Sequence, residues 1–482
     1  VRERIAVVGA GIGGLACALA LGRRGFEVTL YERDAAHGEG FSGASDIAYR
    51  RRGVPHAVHP HFFMGRLREL VLAHHPALLA RFAEAGAGEG RFEEALHPSA
   101  RSRCRVHPGD AALTSIAARR TTFERVLREY VQERGLARIV SGAEVIALLC
   151  DASESVRVRG LRLAGNDVEA DVVVDASGRT GTLARELGGR VCEEQYDAGI
   201  LYFTRHYRLA PGRDFPVSGG IPGLIFSDFI VGALPADSGV FTVTYQVYRD
   251  DLEMIAAVRD PDRFHALAMQ LPTLARWVNP EQAVPASDVF GFGLMDAFWR
   301  SIVVRGEPRV LGLHFVGDAA VRSNPKYGRG CTWSLMSAEL LGDALESAAS
   351  PRARALRYAA ALERDFRADW RTMLEMDRGS RARFEGAAGL RARTLADRAS
   401  DAFAELVDEA QVSDGDFFRE IWRGYHGLTR MDAWMRKPSA WLRLARHAAQ
   451  RTSRRAALAE RRVRPSRAQI LASSHAECAA AT

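Results

Sequence analysis

The stretch Arg4-Ile5-Ala6-Val7-Val8-Gly9-Ala10-Gly11-Ile12-Gly13-Gly14-Leu15-Ala16 constrains this chain more than any other. A short apolar strand leads straight into a glycine turn and then a helix. Gly9 permits the tight turn, Gly11 leaves bare backbone for a pyrophosphate, and Gly14 lets the helix pack closely. The helix N-terminus then faces the phosphates with free N–H groups and a partial positive charge. Val28-Thr29-Leu30-Tyr31-Glu32 follows as a second strand, with Glu32 at the interval expected of a carboxylate that accepts from ribose hydroxyls, and Arg33 beside it. The beginning of the chain predicts a dinucleotide-binding α/β unit.

A chain of 482 residues exceeds what one core usually organises, so two or three subdomains are expected. No apolar run approaches the roughly 20 residues that cross a bilayer. Cys17, Cys104, Cys150, Cys192, Cys331 and Cys478 are scattered without a C-x-x-C pair, which argues against zinc and against a disulfide framework. That usage, together with a strand so close to residue 1, makes the cytoplasm the expected location. The formal charge of +7 comes almost wholly from arginine, since Lys326 and Lys437 are the only lysines, and it is discounted as a sign of nucleic-acid binding.

After Glu32, a polar glycine-rich segment runs to Arg50-Arg51-Arg52-Gly53-Val54-Pro55-His56 and reads as a loop over a site. Phe62 to Ala85 carries helical spacing in two pieces divided at Pro76, and Gly86-Ala87-Gly88-Glu89-Gly90 reads as a helix terminus. Thr121 to Gly135 is a third amphipathic helix, capped by Thr121 or Thr122. Arg138 to Leu149 and Val156 to Leu163 predict a small hairpin or meander. Asp171 to Arg179 reads as a buried strand feeding a glycine turn at Gly178.

From Tyr196 to Tyr248 apolar and polar residues alternate, punctuated by glycine and proline turns, which predicts an antiparallel sheet whose aromatics are chiefly core. Residues 310–320 form an apolar strand ending at Gly317-Asp318, followed by a loop and a long helix from Cys331. Beyond Pro351 the pattern is helical, and Ala456 to Thr482 is expected to fray.

The three anchors, Gly9 to Gly14, Asp171 to Arg179 and Gly317-Asp318, together resemble the flavoprotein monooxygenases of the p-hydroxybenzoate hydroxylase fold. The resemblance implies a Rossmann-like FAD-binding domain of the GR2 type over 1–190 and 291–350, an antiparallel-sheet substrate domain over 191–290, and a helical region over 351–482. It implies that the first anchor holds the ADP half of FAD, that Asp175 and Gly178 pass beside the cofactor, and that Gly317 and Asp318 meet ribityl and pyrophosphate oxygens. An aspartate charge at a strand end is tolerable only among donors, and the helix beginning near Gly328 and Gly330 would aim its N–H groups at the flavin edge.

Arg52-Gly53-Val54-Pro55-His56 with His59 and His61, Arg120-Thr121-Thr122-Phe123-Glu124, and Asn324-Pro325-Lys326-Tyr327-Gly328-Arg329-Gly330 are similar to segments of the styrene monooxygenase and polyether epoxidase branch. There Arg120 would reach the cofactor, as would Arg52. The chain departs from that branch at His56 and Arg329, where glutamine is usual, and at Lys326, where an apolar residue is usual. Lys326 and His56 are the candidate catalytic groups, the first stabilising a reduced or oxygen-carrying flavin and the second as an acid or base.

The resemblance implies that NAD(P)H reduces FAD, directly or through a separate flavin reductase, and that one atom of O2 reaches an alkene or aromatic ring of a small hydrophobic substrate. No metal is expected. A reductase or dehydrogenase of isoprenoid-like substrates is the enzymatic alternative. Halogenation ranks lower, because Phe298-Trp299-Arg300-Ser301-Ile302 only echoes the Trp-x-Trp-x-Ile-Pro signature. A non-enzymatic reading takes the C-terminal helices as primary. Trp434, Trp441, Leu442 and Leu444 interleaved with Arg436, Lys437, Arg443 and Arg446 suit an anionic membrane surface or an acidic partner.

Overall fold

Strand β1 (Arg4–Val8) is buried at every position but the first, because parallel neighbours flank it and helices cover its faces. The computed structural model describes residues 2–35, 47, 53–54, 56–101, 104–151, 156–181, 183–216, 223–225, 229–293, 296–450 and 467–472. Helix α1 (Ile12–Gly22) follows the glycine turn, and β2 (Glu27–Glu32) returns beside β1 in parallel register from Arg4↔Glu27 to Val8↔Tyr31. Helix α2 (Arg120–Glu133) then leads to β3 (Arg138–Ser141) and later to β4 (Val172–Asp175). With Leu313–Phe315 at the edge, the parallel sheet has the order Leu313–Phe315, β4, β1, β2, β3.

Three expectations fail in this region. Arg138–Ser141 belongs to the parallel sheet, and the hairpin pairs Val145–Asp151 with Val156–Leu163 instead. Gly142 at φ +71° breaks the run, its N–H donating to the Asp34 carbonyl, so one apolar stretch serves two sheets. Neither threonine caps α2. Arg119 is its N-cap residue without a side-chain cap, and the Thr122 hydroxyl donates to Asp237. Gly88–Gly90, read as a helix terminus, is a short strand on Ser115–Ala117.

The second sheet is antiparallel and six-stranded, built on β5 (Ile200–Leu209), β6 (Phe229–Pro235) and β7 (Val240–Tyr248). Strand alternation divides its faces. Tyr207, Phe229, Val243 and Tyr245 pack on the helices Leu252–Arg259, Pro261–Met269 and Pro272–Val278, while Tyr202, Thr244 and Gln246 face a cavity. A three-stranded bridge of Cys192–Asp197, Asp296–Ser301 and Val321–Arg322 joins this sheet to the first unit.

Helix α3 (Arg329–Ser347) packs on α1, and α4 (Pro351–Ala387) runs 37 residues with Tyr358, Leu362, Phe366, Trp370 and Met373 on its buried face. Helices α5 (Leu395–Ser413), α6 (Gly415–Tyr425) and α7 (Pro438–Gln450) enclose a small core of Ala410, Phe417, Trp434 and Leu444. Trp434 is thus interior, and Arg443 is paired with Asp414 and Asp416, whereas Trp441 is 47% exposed. The expected fraying does not hold over residues 467–472. Ile470 and Leu471 are buried in the core beneath the antiparallel sheet, and Arg467 pairs with Asp251 at 2.6 Å. Among the described residues no helix is long and apolar enough to cross a membrane, and no His, Cys, Asp and Glu cluster is able to hold a metal ion.

Candidate functional site

One cavity of about 1400 Å³ runs from the first glycine turn to the C-terminal helices. At its first end, Gly9 adopts φ +94° and donates its N–H to the Tyr31 carbonyl at 2.8 Å. A Cβ on Gly14 would stand 1.9 Å from the Gly9 carbonyl oxygen, so the close approach is between the helix and the turn itself. A Cβ on Gly11 would meet nothing within 4 Å, which leaves open space at the N-terminus of α1. Glu32 lines the cavity and also fastens the loop, its carboxylate accepting from Ala10 N–H at 2.9 Å and Asp34 N–H at 3.1 Å. Arg33 lines the same wall, and Arg52 lies outside the described residues.

The middle of the cavity is formed by two turns and a helix end. Gly317 adopts φ +62°, and a Cβ there would stand 2.6 Å from the Ser334 hydroxyl, so both angle and space call for glycine beside Asp318 on the wall. Gly328, at φ +63°, is the N-cap residue of α3, which has no side-chain cap and no acid in its first turn. Gly328, Gly330 and Cys331 line the cavity, so the positive end of that helix is available to an anion or a carbonyl oxygen. Gly178 is also on the wall, but Asp175 is not. Its buried carboxylate accepts from the Ser177 N–H at 3.0 Å and from the Ser177 hydroxyl, and burial pushes its carboxyl up. Asp175 therefore braces the Ala176–Arg179 turn from behind, where the sequence reading had it beside the cofactor.

Arg120, at the start of α2, places Nη1 2.8 Å from His56 Nε2 and 3.2 Å from His61 Nε2. A guanidinium only donates, so both Nε2 atoms accept and both protons sit on Nδ1. The His61 Nδ1 donation to the His59 carbonyl at 2.8 Å agrees with that tautomer. Burial, then the Arg120 charge, lowers His61 to about 3 and His56 well below its ordinary value. Both rings are neutral near pH 7. The basic nitrogen of His56, read from the sequence as an acid-base group, is thus turned to the Arg120 guanidinium.

Lys326 lines the cavity, yet its ammonium is not isolated there. Nζ lies 2.7 Å from Asp377 Oδ1, which also accepts from the Tyr327 hydroxyl at 2.9 Å and from Asn324 Nδ2 at 3.3 Å. Tyr202 donates to Asn324 Oδ1 at 2.6 Å and accepts from Lys326 N–H at 3.1 Å. Arg329 turns away from the cavity altogether. It donates to the Gly424 carbonyl at 2.6 Å and approaches Asp369 at 3.7 Å, clamping the C-terminal helices onto the first turn of α3.

The far end was not anticipated from the sequence. Tyr202 is on the wall, but Tyr245 is fully buried in the sheet core, and most of the lining comes instead from α4, α5 and α6 and the turn after α6. Phe418, Trp422 and Tyr425 stack along one face of α6 with ring centroids 5.0 and 5.2 Å apart, and Phe403 and Trp434 line the same cavity. Their i, i+4, i+7 spacing was the available signal, and it signals a buried face without saying what covers it.

Residues 7–71 match the family model of the NAD(P)-binding Rossmann-like domain. No curated relative matches the sequence. Among solved structures the chain is similar to PqsL from Pseudomonas aeruginosa, described as a probable FAD-dependent monooxygenase, with a TM-score of 0.57 at 17% identity over 80% of this chain and 99% of that one. The fold is that of the FAD-dependent monooxygenases. The Diels-Alderase PyrE3 of pyrroindomycin biosynthesis is also similar, with a TM-score of 0.53 at 16% identity over 89% of this chain and 81% of that one. The flavin-dependent brominase Bmp2 gives a TM-score of 0.52 at 15% identity over 92% and 94%.

The residues along the cavity fit a dinucleotide cofactor such as FAD. The space at Gly11 is open, the ends of α1 and α3 face one cavity, and Glu32, Arg33, Arg120 and Asp318 surround it. Sequence reasoning thus brought Gly9, Gly11, Glu32, Arg33, His56, Arg120, Gly178, Asp318, Lys326, Gly328 and Gly330 to one wall, while Gly14, Gly317 and Asp175 shape it from behind.

Proposed function

We propose that this chain is an FAD-dependent monooxygenase that inserts one oxygen atom into an alkene or aromatic ring of an apolar small molecule. The observation that carries the reading is the continuity of the cavity, which connects the glycine turn and two helix N-termini to an aromatic chamber without a break. At about 1400 Å³ it exceeds the roughly 300–1000 Å³ of a site for one small ligand, leaving room for a dinucleotide and a substrate together.

Bound FAD would supply the redox chemistry, taking electrons from NAD(P)H directly or through a separate reductase and passing oxygen from O2 to the substrate. The chain's own residues do the rest. Gly11 and the N-terminus of α1 would hold the pyrophosphate, Glu32 would accept from ribose hydroxyls, and Arg120, 3.6 Å from Glu124, would supply a cation. The N-terminus of α3 holds negative charge at the flavin edge. Phe403, Phe418, Trp422 and Trp434 orient an apolar substrate and exclude water.

The absorption spectrum of the purified protein tests the cofactor, and product analysis under ¹⁸O2 tests the reaction. A folded protein that neither carries nor takes up FAD would overturn the first, and unlabelled product the second. The Bmp2 likeness favours halogenation as the second reading. Trp299, however, in the segment that echoes the halogenase signature, is buried against Trp370 and does not line the cavity. Product formation that requires bromide or chloride would select it.

A further inference from the structure

Lys326 and Lys437 are the only lysines among 66 lysine and arginine residues. Arginine serves almost everywhere, including at ion pairs as buried as Arg119–Asp237 and Arg322–Asp296. Lys437 is at the surface, paired with Glu420. Among the described residues the side-chain cations on the cavity wall are Arg33, Arg120, Arg179, Arg322, Arg383 and Lys326. One position there departs from the habit of the whole chain. The exchange matters chemically, because a guanidinium does not lose its proton in a protein while an ammonium drawn out of water does.

The surroundings of Lys326 draw its ammonium out of water. Its side chain is 14% exposed, and among the described residues Nζ has one anionic partner, Asp377, itself 1% exposed and shared with Tyr327 and Asn324 through the same Oδ1. The other groups facing it are Arg383 of α4, Tyr202 of β5, which accepts from its backbone N–H, and Tyr425 of α6, which donates to its carbonyl at 3.0 Å. Burial lowers the lysine, Arg383 adds to the effect, and Asp377 opposes both. A plain loop anchor would need none of this. It would be met equally well by arginine, as Arg329 shows at the Gly424 carbonyl beside the same aromatic stack.

We propose that Lys326 is the dissociable proton donor of the cavity, giving a proton from Nζ to an oxygen or nitrogen of a bound ligand, with Asp377 as the positioning residue that sets its charge. In that step an Nζ–H bond breaks and a ligand O–H or N–H bond forms. No electrons change hands, and the neutral amine recovers its proton from water. The identity of the ligand rests on the monooxygenase reading, but the dissociation of the proton does not.

Two lysines make the test direct. Protein grown with ¹³Cε-lysine gives two side-chain resonances, assigned by their loss in Lys326→Arg and Lys437→Arg. The expected result is that the Lys326 signal titrates about one pH unit or more below that of Lys437, a free-amine fraction about tenfold larger at a given pH. Asp377→Asn lowers the Lys326 midpoint further and leaves Lys437 in place. If the wild-type Lys326 signal titrates with Lys437 or above it, the proposal is overturned, whether or not the Asp377 variant folds. The flavin spectrum is read on the same samples. A low-titrating Lys326 in a colourless protein removes the monooxygenase reading alone, and an ordinary Lys326 in a yellow protein removes this one alone.

Discussion

Asp237, in the turn between β6 and β7, is the buried acceptor for Arg119 at the head of α2, taking its backbone N–H at 2.6 Å and its Nε at 3.0 Å. A helix without a side-chain cap of its own is thus held by an acid from the other sheet, next to the residue, Arg120, that reaches the cavity. Asp237→Ala takes the buried carboxylate away from the Arg119 guanidinium, and we expect a loss of about 3–5 kcal/mol in urea unfolding. A loss below about 1 kcal/mol would show the pair to be dispensable.

The two glycines of the first turn are expected to separate folding from cofactor retention. Gly14→Ala drives a methyl group into the Gly9 carbonyl, 1.9 Å away, and should cost about 1–3 kcal/mol of stability. Gly11→Ala meets open space, so its unfolding should stay within about 0.5 kcal/mol of the parent. Its affinity for FAD, followed by flavin fluorescence, should nonetheless fall about tenfold or more, since the methyl group occupies the place of the pyrophosphate.

Acid should weaken the fold well above the range where carboxylates titrate. His61 and His426 are lowered to about 3, chiefly by burial and then by Arg120 and Arg329 respectively, against an ordinary value of 6.5. Between those values the unfolded chain binds more protons, so stability is whole above pH 6.5 and drains away as pH falls toward 3. His426→Gln should recover about 2 kcal/mol of the loss between pH 7 and pH 4.5, measured as the difference in urea unfolding.

Arg329→Met is expected to loosen the C-terminal helices while leaving the first sheet intact. The substitution leaves the Gly424 carbonyl and Asp369 without their cation, a cost of about 1–3 kcal/mol. Limited proteolysis should then cut near residues 424–432 faster than in the parent, with flavin content unchanged. Equal cutting rates would mean that the aromatic packing of α6 alone secures the lobe.

Much of the cofactor half was legible in the sequence because backbone geometry demands particular residues. Only glycine tolerates φ +94° at position 9 or the contact at position 14, so the residue types announce the turn. The antiparallel sheet was legible for a similar reason, since alternation is a consequence of the pleat. The substrate half was not. Phe418, Trp422 and Tyr425 show that something covers one face of α6, but a helical stripe looks the same whether a core or a ligand fills the space beside it. Asp175 misled for the opposite reason. A carboxylate at a strand end is needed wherever donors crowd, and here the donors belong to Ser177 of its own turn. Arg329 and Lys326 differ in a way that only tertiary packing reveals, one cation sent to a backbone carbonyl and the other to a buried acid.

Ile470 and Leu471 close the core beneath the antiparallel sheet, while helices earlier in the same C-terminal region wall the aromatic chamber. The region after α4 therefore belongs to two lobes at once. A truncation after Gln450 would spare every residue of the chamber yet open the sheet domain from below. The tail is a fastening whose removal would be felt at a distance.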